Sequence, residues 1–251
     1  MGRAVTTLAR SLASAERAEA HLARVARLKA MEAGELAALF ADPEAAAPWI
    51  EAAAACGMAE AQVWLGRMLL AGEGLAQDQK AAQRWFVKAA LAGHADAQNM
   101  AGRGFERGWG GTVDCARAAH WYARAAAAGE PWGAYNLANL LFDGRGVPRD
   151  RVAAVAWYGC AAKAGHTRAM NLLARCLEEG WGTAPDPVAA AQWYRRSAEG
   201  GYFRGAFNHA IELLRRQHPA EALTWLGKAR AEADAPLRQW IDRLLGQART
   251  C

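Results

Sequence analysis

The sequence predicts an all-α fold, an array of helical hairpins that repeats every 36 residues, on three observations. The first is a column of tryptophans spaced 36 apart: Trp49, Trp85, Trp121, Trp157 and Trp193. The second is a set of glycine pairs at the same spacing: Gly72 and Gly74, Gly108 and Gly110, Gly144 and Gly146, Gly180 and Gly182. The third is an aspartate after each glycine pair: Asp78, Asp114, Asp150 and Asp186.

Each repeat is predicted to hold two helices. The glycine pair ends the first helix, because glycine adopts the left-handed conformation that satisfies the last carbonyls. The aspartate then caps the second helix by accepting a hydrogen bond from an exposed N–H. On the second helix the Trp-aromatic pair and an alanine pair four residues later share one face. A single hairpin cannot bury this apolar face, so successive hairpins are expected to stack into one core.

The period sets the expected organisation of the chain. Four full repeats are predicted at 58–93, 94–129, 130–165 and 166–201. Residues 1–57 are expected to form a cap, with a helix at about 8–30 and a degenerate repeat at 33–56. Residues 202–251 are expected to form a degenerate repeat and a last helix at about 236–247. In that segment His218 and Pro219 replace the glycine loop, and Trp225 follows Trp193 by only 32 residues.

Composition argues against several classes of protein. The net charge of +5 comes from arginines spread along the chain, so no nucleic-acid partner is expected. No apolar run approaches the roughly 18 residues of a membrane span. The Arg/Ser/Ala-rich N-terminus is either a targeting segment or an ordinary amphipathic helix, and the second interpretation is favoured.

The cysteines predict neither a zinc cluster nor a disulfide framework, because their number is odd and none are spaced CxxC. They are Cys56, Cys115, Cys160, Cys176 and Cys251. Reduced thiols in a cytoplasmic protein are the simplest expectation.

The runs AQVWLGRMLLAGEGLAQD at 61–78 and AAQRWFVKAALAG at 81–93 closely resemble the Sel1-like repeat, a relative of the tetratricopeptide repeat. The resemblance covers residues 58–201 strongly and the flanks weakly. It implies a right-handed α/α superhelix whose first helices line a concave surface, and a role as an adaptor. Some secreted relatives carry a disulfide in each repeat and resemble β-lactam-binding proteins. Cys160 and Cys176 do not recur at 36 residues, which disfavours that subgroup.

Two columns of the first helices are the candidate binding residues. One column holds Arg67, Arg103, Asn139 and Arg175. The other, four residues earlier and therefore on the same face, holds Val63, Asn99, Tyr135 and Asn171. Arginine forks suit carboxylates and amides suit a peptide backbone, so the groove is predicted to bind an acidic or C-terminal segment of a partner protein. The alternative is that these are ordinary solvated residues of a repeat.

Trp109 and Trp181 lie between the loop glycines of alternate repeats. Each is either an exposed anchor for a partner or a ring folded over its own hairpin, and packing is favoured. His94 and His166 follow the glycines that end the preceding helices, which predicts a structural role in the turn.

No catalytic, metal-binding or cofactor-binding residues are predicted, because the aspartates are caps by position and no nucleophile-elbow, P-loop or HExxH pattern is present. The expected function is a non-catalytic adaptor that binds a protein or peptide. Two alternatives are an immunity or regulatory protein that inhibits a toxin or enzyme by binding it, and a β-lactamase-like hydrolase. The hydrolase is disfavoured because no activated nucleophile or carboxylate pair is apparent.

Overall fold

The computed structural model describes the backbone of residues 2–248 and the side chains of residues 16–245. Every regular element in this part of the chain is a helix, which confirms the all-α solenoid fold class. The helices are α1 (Gly2–Ala30), α2 (Ala33–Ala41), α3 (Pro43–Ala55), α4 (Ala59–Ala71), α5 (Gln79–Leu91), α6 (Ala95–Arg107), α7 (Cys115–Ala127), α8 (Pro131–Asp143), α9 (Arg151–Lys163), α10 (Thr167–Glu179), α11 (Pro187–Glu199), α12 (Phe203–Arg215), α13 (Pro219–Glu232) and α14 (Ala235–Ala248). None of the described helices is long and apolar enough to cross a bilayer.

The hairpin loops follow the predicted chemistry. In the first full repeat α4 ends at Ala71 and is followed by Gly72, which has a φ of 78°, a left-handed conformation that residues with side chains rarely adopt. Asp78 then accepts a hydrogen bond from the N–H of Ala81 at 2.8 Å, which caps α5. The three equivalent aspartates accept the corresponding bond at 2.9 Å: Asp114, Asp150 and Asp186.

The chain divides into two compact units, Met1–Arg124 and Ala125–Cys251. In the first unit the core includes Phe86, Met100 and Trp121, which are buried together with the alanines of α5. In the second unit Leu226 and Ile241 belong to a core cluster of α12, α13 and α14. The three-part organisation of cap, four repeats and C-terminal cap stays a prediction.

Close approach inside a hairpin depends on small residues in the first helix. A Cβ atom on Gly66 would lie 2.6 Å from the ring of Phe86, and one on Gly102 would lie 2.6 Å from the ring of Tyr122. Both rings are completely buried. The aromatic residue that follows each tryptophan therefore packs directly against the backbone of the first helix in these two hairpins.

Buried glutamines join successive hairpins of the first unit. The Nε2 of Gln62 donates to the carbonyl of Ala54 at 3.1 Å, and that of Gln98 donates to the carbonyl of Ala90 at 3.3 Å. Each bond links a first helix to the last turn of the helix before it. The same two carbonyls also accept backbone hydrogen bonds from the N–H groups of Gly57 and Gly93, so each glutamine adds a second bond at a helix end.

The two ends of the array depart from the regular hairpin. Before the first full repeat, α2 has only nine residues and none of them is buried. In the second unit α12 ends at Arg215 without a glycine loop, and the turn places Gln217 at a φ of 63° before α13 begins at Pro219. The last helix, α14, packs on α13 and places Ile241 in the core.

Candidate functional site

The first-helix arginines divide into a paired one and two stacked ones. Arg67 of α4 forms an ion pair with Asp96 of α6 at 2.6 Å, so its guanidinium already has an acidic partner. The guanidinium of Arg103 lies 5.8 Å from the ring centre of Trp109. That of Arg175 lies 5.0 Å from the ring centre of Trp181. Within the described part of its own unit, neither stacked arginine forms an ion pair.

The loop tryptophans Trp109 and Trp181 provide the rings on which Arg103 and Arg175 stack. Trp109 is only 8% exposed and lies 6.1 Å from Phe86 between ring centres, so it belongs to the core of the first unit. Trp181 is half-buried, with its ring centre 5.6 Å from that of Phe142. The alternative of an exposed anchor does not describe Trp109, because its ring is enclosed by its own hairpin and its neighbours. Direct contact of either ring with a partner stays a prediction.

The first-helix amides are not arranged as the exposed ladder that the sequence predicts. Asn99 and Asn171 are 4% and 6% exposed. In the second unit the Oδ1 of Asn171 accepts a hydrogen bond from the Nδ2 of Asn208 on α12, at 2.8 Å. The adjacent first helix therefore covers this amide and uses its hydrogen-bonding capacity. Val63, in the same column, is also buried in the core of the first unit.

Tyrosines of the second helices donate hydrogen bonds to glutamates of the first helices, which the sequence pattern did not lead us to expect. The Tyr122 hydroxyl donates to Glu106 at 2.7 Å, and the Tyr194 hydroxyl donates to Glu178 at 2.8 Å. Burial, followed by the bonded carboxylate, raises the pKa of both tyrosines far above the usual value. The recurrence of glutamate at 106 and 178 is a signal that could have indicated these bonds.

In the third full repeat the tyrosine hydroxyl has a different hydrogen-bond acceptor. Phe142 occupies the position of the two glutamates and cannot accept a hydrogen bond. The Tyr158 hydroxyl therefore donates to the Oδ1 of Asn139, at 2.7 Å. Asn139 is thus committed to a bond inside its own hairpin. Tyr135, in the other column, stacks on His166 with ring centres 4.6 Å apart.

A pocket of about 310 Å³ lies beside Arg175 in the second unit. Its polar lining comes from α10, α11 and α12: Asn171, Arg175, Glu178, Tyr194, Arg204 and Asn208. Arg204 is paired with Asp234 at 3.0 Å, and Glu178 is paired with Arg215 at 2.6 Å. Arg175 also lines this pocket. Among the described residues of its unit, no carboxylate forms an ion pair with it.

Glu178 stays ionised beside this pocket. Partial burial opposes its ionisation, but hydrogen bonds from Arg215 and Tyr194 outweigh that effect and hold the pKa of the carboxyl below its usual value. Its two oxygens accept from different partners, since Arg215 bonds one and Tyr194 bonds the other. The carboxylate is thus a structural acceptor, held in place from two sides.

The turn histidines have the structural role that the sequence predicts. The Nδ1 atoms of His94 and His166 accept hydrogen bonds from the N–H groups of Ala97 and Ala169, at 3.3 and 3.1 Å. They therefore cap α6 and α10 in the way that aspartates cap the second helices.

Among the residues whose side chains are described, the cysteines form no disulfide. Cys56, Cys115, Cys160 and Cys176 are free thiols, and Cys251 lies outside the described residues. Among the residues whose side chains are described, no three of His, Cys, Asp or Glu are grouped closely enough to hold a metal ion.

Comparison with known proteins identifies the repeat. A model of the Sel1 repeat matches four segments that together cover more than half of the chain: 59–94, 95–130, 133–166 and 167–202. The chain belongs to the Sel1 repeat family. This repeat fold generally mediates protein–protein interaction, and the scaffold family is typically non-catalytic. No match was found among curated proteins.

Solved Sel1 repeat structures share the fold. A protective antigen of uropathogenic Escherichia coli with the SLR fold is 28% identical over 81% of this chain, with a TM-score of 0.72. The match spans only 44% of that antigen's chain. A Sel1 repeat protein from Oxalobacter formigenes is 29% identical over 77% of this chain and 78% of its own, with a TM-score of 0.69.

Proposed function

We propose that the protein is a non-catalytic interaction module that binds an acidic segment of a partner protein. The observation that carries this proposal is the stack of Arg175 on Trp181, 5.0 Å from the ring centre, without an ion pair in the described part of its unit. Arg175 is solvent-exposed and borders the 310 Å³ pocket. A carboxylate entering the pocket would meet this guanidinium at its free edge.

Stacking prepares an arginine for carboxylate recognition. A ring covers one face of the planar guanidinium, while the N–H groups at its edge still point outward in a fork that matches a carboxylate. The side chain also loses rotational freedom in advance, so less entropy is lost on binding. An exposed arginine without such support would bind the same carboxylate more weakly.

The surroundings of Arg175 favour an anionic ligand. Arg204 lines the same pocket but is paired with Asp234, and Glu178 is paired with Arg215, so the charge of Arg175 remains. In the lining of the pocket, the Nδ2 of Asn208 donates a hydrogen bond to the Oδ1 of Asn171 at 2.8 Å. A peptide carboxylate, from a side chain or a C-terminus, therefore meets net positive charge and no unpaired acid among the described lining residues.

Arg103 also lies over a tryptophan, Trp109, in the first unit, although it is half-buried and one of its N–H groups donates to the Sδ of Met100 at 3.4 Å. We propose that it offers a separate contact for acidic residues in that unit. Arg67 is excluded from this role because Asp96 already occupies its guanidinium.

The test uses fluorescence anisotropy with a fluorescein-labelled peptide of twelve glutamates, and a glutamine peptide of the same length as the control ligand. The protein is expected to bind the glutamate peptide and to release it as salt screens the charges. Arg175→Ala is expected to weaken binding about tenfold, the order of a charge-assisted hydrogen bond. Arg195→Ala is the matched control, because Arg195 is exposed in the same unit and paired with Glu199.

The same variants test recognition of natural partners. Affinity capture from the source cell, followed by mass spectrometry, is expected to recover fewer acidic partners with Arg103→Ala/Arg175→Ala than with Arg195→Ala. Unchanged binding of both the peptide and the captured partners by the double variant would refute the proposal.

A further inference from the structure

A second, apolar groove lies at the start of the array, inside the first unit. It has a volume of about 570 Å³ and is lined by α1, α2, α3 and α4. Three large apolar residues border it with much of their surface in solvent: Phe40 and Met58, each 46% exposed, and Trp64, 55% exposed. Contiguous exposed apolar surface of this kind marks an interaction site.

The short second helix explains why this groove is open. In the full repeats the first helix has 13 residues, whereas α2 has nine and none of them is buried. Met100 of α6, one repeat after Trp64, is only 6% exposed. The face of α4 that a full neighbouring helix would cover is therefore left to solvent.

Met58 is an independent departure from the repeat at the same place. It occupies the N-cap position of α4 and makes no side-chain cap bond. The equivalent residues cap the three following first helices with their side chains: His94, Glu130 and His166. An apolar N-cap is among the least favourable choices, so this position gives up helix stability to present a large apolar side chain.

We propose that the groove binds a second copy of this chain, and that the protein forms a two-fold symmetric dimer through it. A two-fold interface requires that one patch be complementary to itself. This patch has a projecting ring, Trp64, beside a groove that can receive a ring. It also carries one exposed cation and one exposed carboxylate, Lys29 and Glu60. A two-fold axis that passes between these two positions would set Lys29 of each copy against Glu60 of the other.

Glu60 is available for such a pair. Its carboxylate lies 3.0 Å from the Nε2 of His94, but 77% of its side chain is exposed. A second cation can therefore approach from the solvent side. An identical copy supplies both a carboxylate for Lys29 and a second cation for Glu60.

A two-fold contact uses the same patch on both copies and closes at the dimer, whereas a head-to-tail contact joins two different surfaces and can continue into rings or filaments.

The experiment measures molar mass by light scattering and by sedimentation equilibrium, from about 1 to 100 μM protein, a range that brackets micromolar association. The wild-type chain is expected to shift from its monomer mass of 26.9 kDa towards twice that value. Trp64→Ser is expected to weaken dimerisation at least about tenfold, as loss of a central tryptophan does at interfaces. Leu91→Ser is the matched control, because Leu91 is 66% exposed in the same unit but does not line the groove.

A charge exchange makes the two-fold pairing testable. Lys29→Glu alone is expected to weaken the dimer because it brings carboxylates together, and Lys29→Glu/Glu60→Lys is expected to restore it. Circular dichroism confirms that each variant is folded. A wild-type protein that stays monomeric at 100 μM overturns the proposal and leaves the groove to a different protein. A dimer that Trp64→Ser does not weaken, or that the double exchange does not restore, overturns it as well.

Discussion

The stability of the second unit is expected to fall as the pH is lowered, because His166 is buried in its neutral form. The ring is 8% exposed, and Tyr135 and Trp132 pack against it with ring centres 4.6 and 4.3 Å away. Burial, assisted by the nearby Arg168, lowers the pKa of His166 from 6.5 to about 4. Its Nδ1 is already used to cap α10, and the other nitrogen has no partner within the described residues.

Proton linkage gives the direction and the size of this change in the free energy of unfolding. Between pH 6.5 and 4 the unfolded chain binds a proton at this histidine that the folded chain does not, so acid favours unfolding. The stability that neutral His166 contributes is fully present above about pH 6.5, decreases as the pH falls below that value, and is lost by about pH 4. With about 1.4 kcal/mol for each pKa unit, the loss between pH 7 and pH 5 is about 2 kcal/mol.

The measurement is urea unfolding followed by circular dichroism at pH 7 and pH 5, on the wild type and on His166→Asn. Asparagine is a good N-cap, so the variant keeps the bond to the N–H of Ala169 without a titrating ring. The lowered pKa of His209 acts on both proteins and cancels in the comparison. The pH-dependent loss should be about 2 kcal/mol larger in the wild type. Equal losses in the two proteins would refute the account of His166.

Two further predictions concern the hairpins and the thiols. Gly159→Ala should raise the free energy of unfolding by about 0.5–1 kcal/mol, because glycine is a poor helix former and no atom lies within 4 Å of the new Cβ. Gly102→Ala should lower the free energy of unfolding, because overpacking against the buried ring of Tyr122 costs about 1–3 kcal/mol. Chemical denaturation measures both variants, and equal effects of the two substitutions would contradict this reasoning. Iodoacetamide at pH 8 should label the exposed Cys160 and spare Cys176, because burial raises the pKa of the Cys176 thiol to about 11; mass spectrometry of the digested protein that finds equal labelling would refute this.

The hairpins could be predicted from the sequence because their determinants are local. The first helix of the first full repeat is predicted to lie between residue 58 and the glycine pair, and it is found at Ala59–Ala71. Glycine loops and capping aspartates act within a few residues, so their spacing alone places the helix ends. The long first helix is the exception, since it begins at Gly2 and not near residue 8.

The candidate site could be predicted only in part, because a period identifies equivalent positions but does not show what covers them. Asn171 shares a helix face with Arg175, yet Asn208 of the following first helix covers the asparagine and leaves the arginine exposed. The stack of Arg175 on Trp181 was also missed as a contact, although both residues were singled out separately. A spacing of six residues that occurs at 103 and 109 and again at 175 and 181 could have indicated it.

The arginine–tryptophan stacks also bear on the history of the array. They occur in alternate repeats, and so do four further positions that are identical 72 residues apart, among them His94 with His166 and Glu106 with Glu178. The repeat between them, 130–165, carries a different residue in each of these columns, whereas the first full repeat shares the arginine, as Arg67. Duplication of a segment of two hairpins, followed by divergence within the pair, accounts for this alternation. The natural module for shortening, lengthening or recombining this protein is therefore the 72-residue pair, which preserves the alternation of repeats with and without an arginine–tryptophan stack.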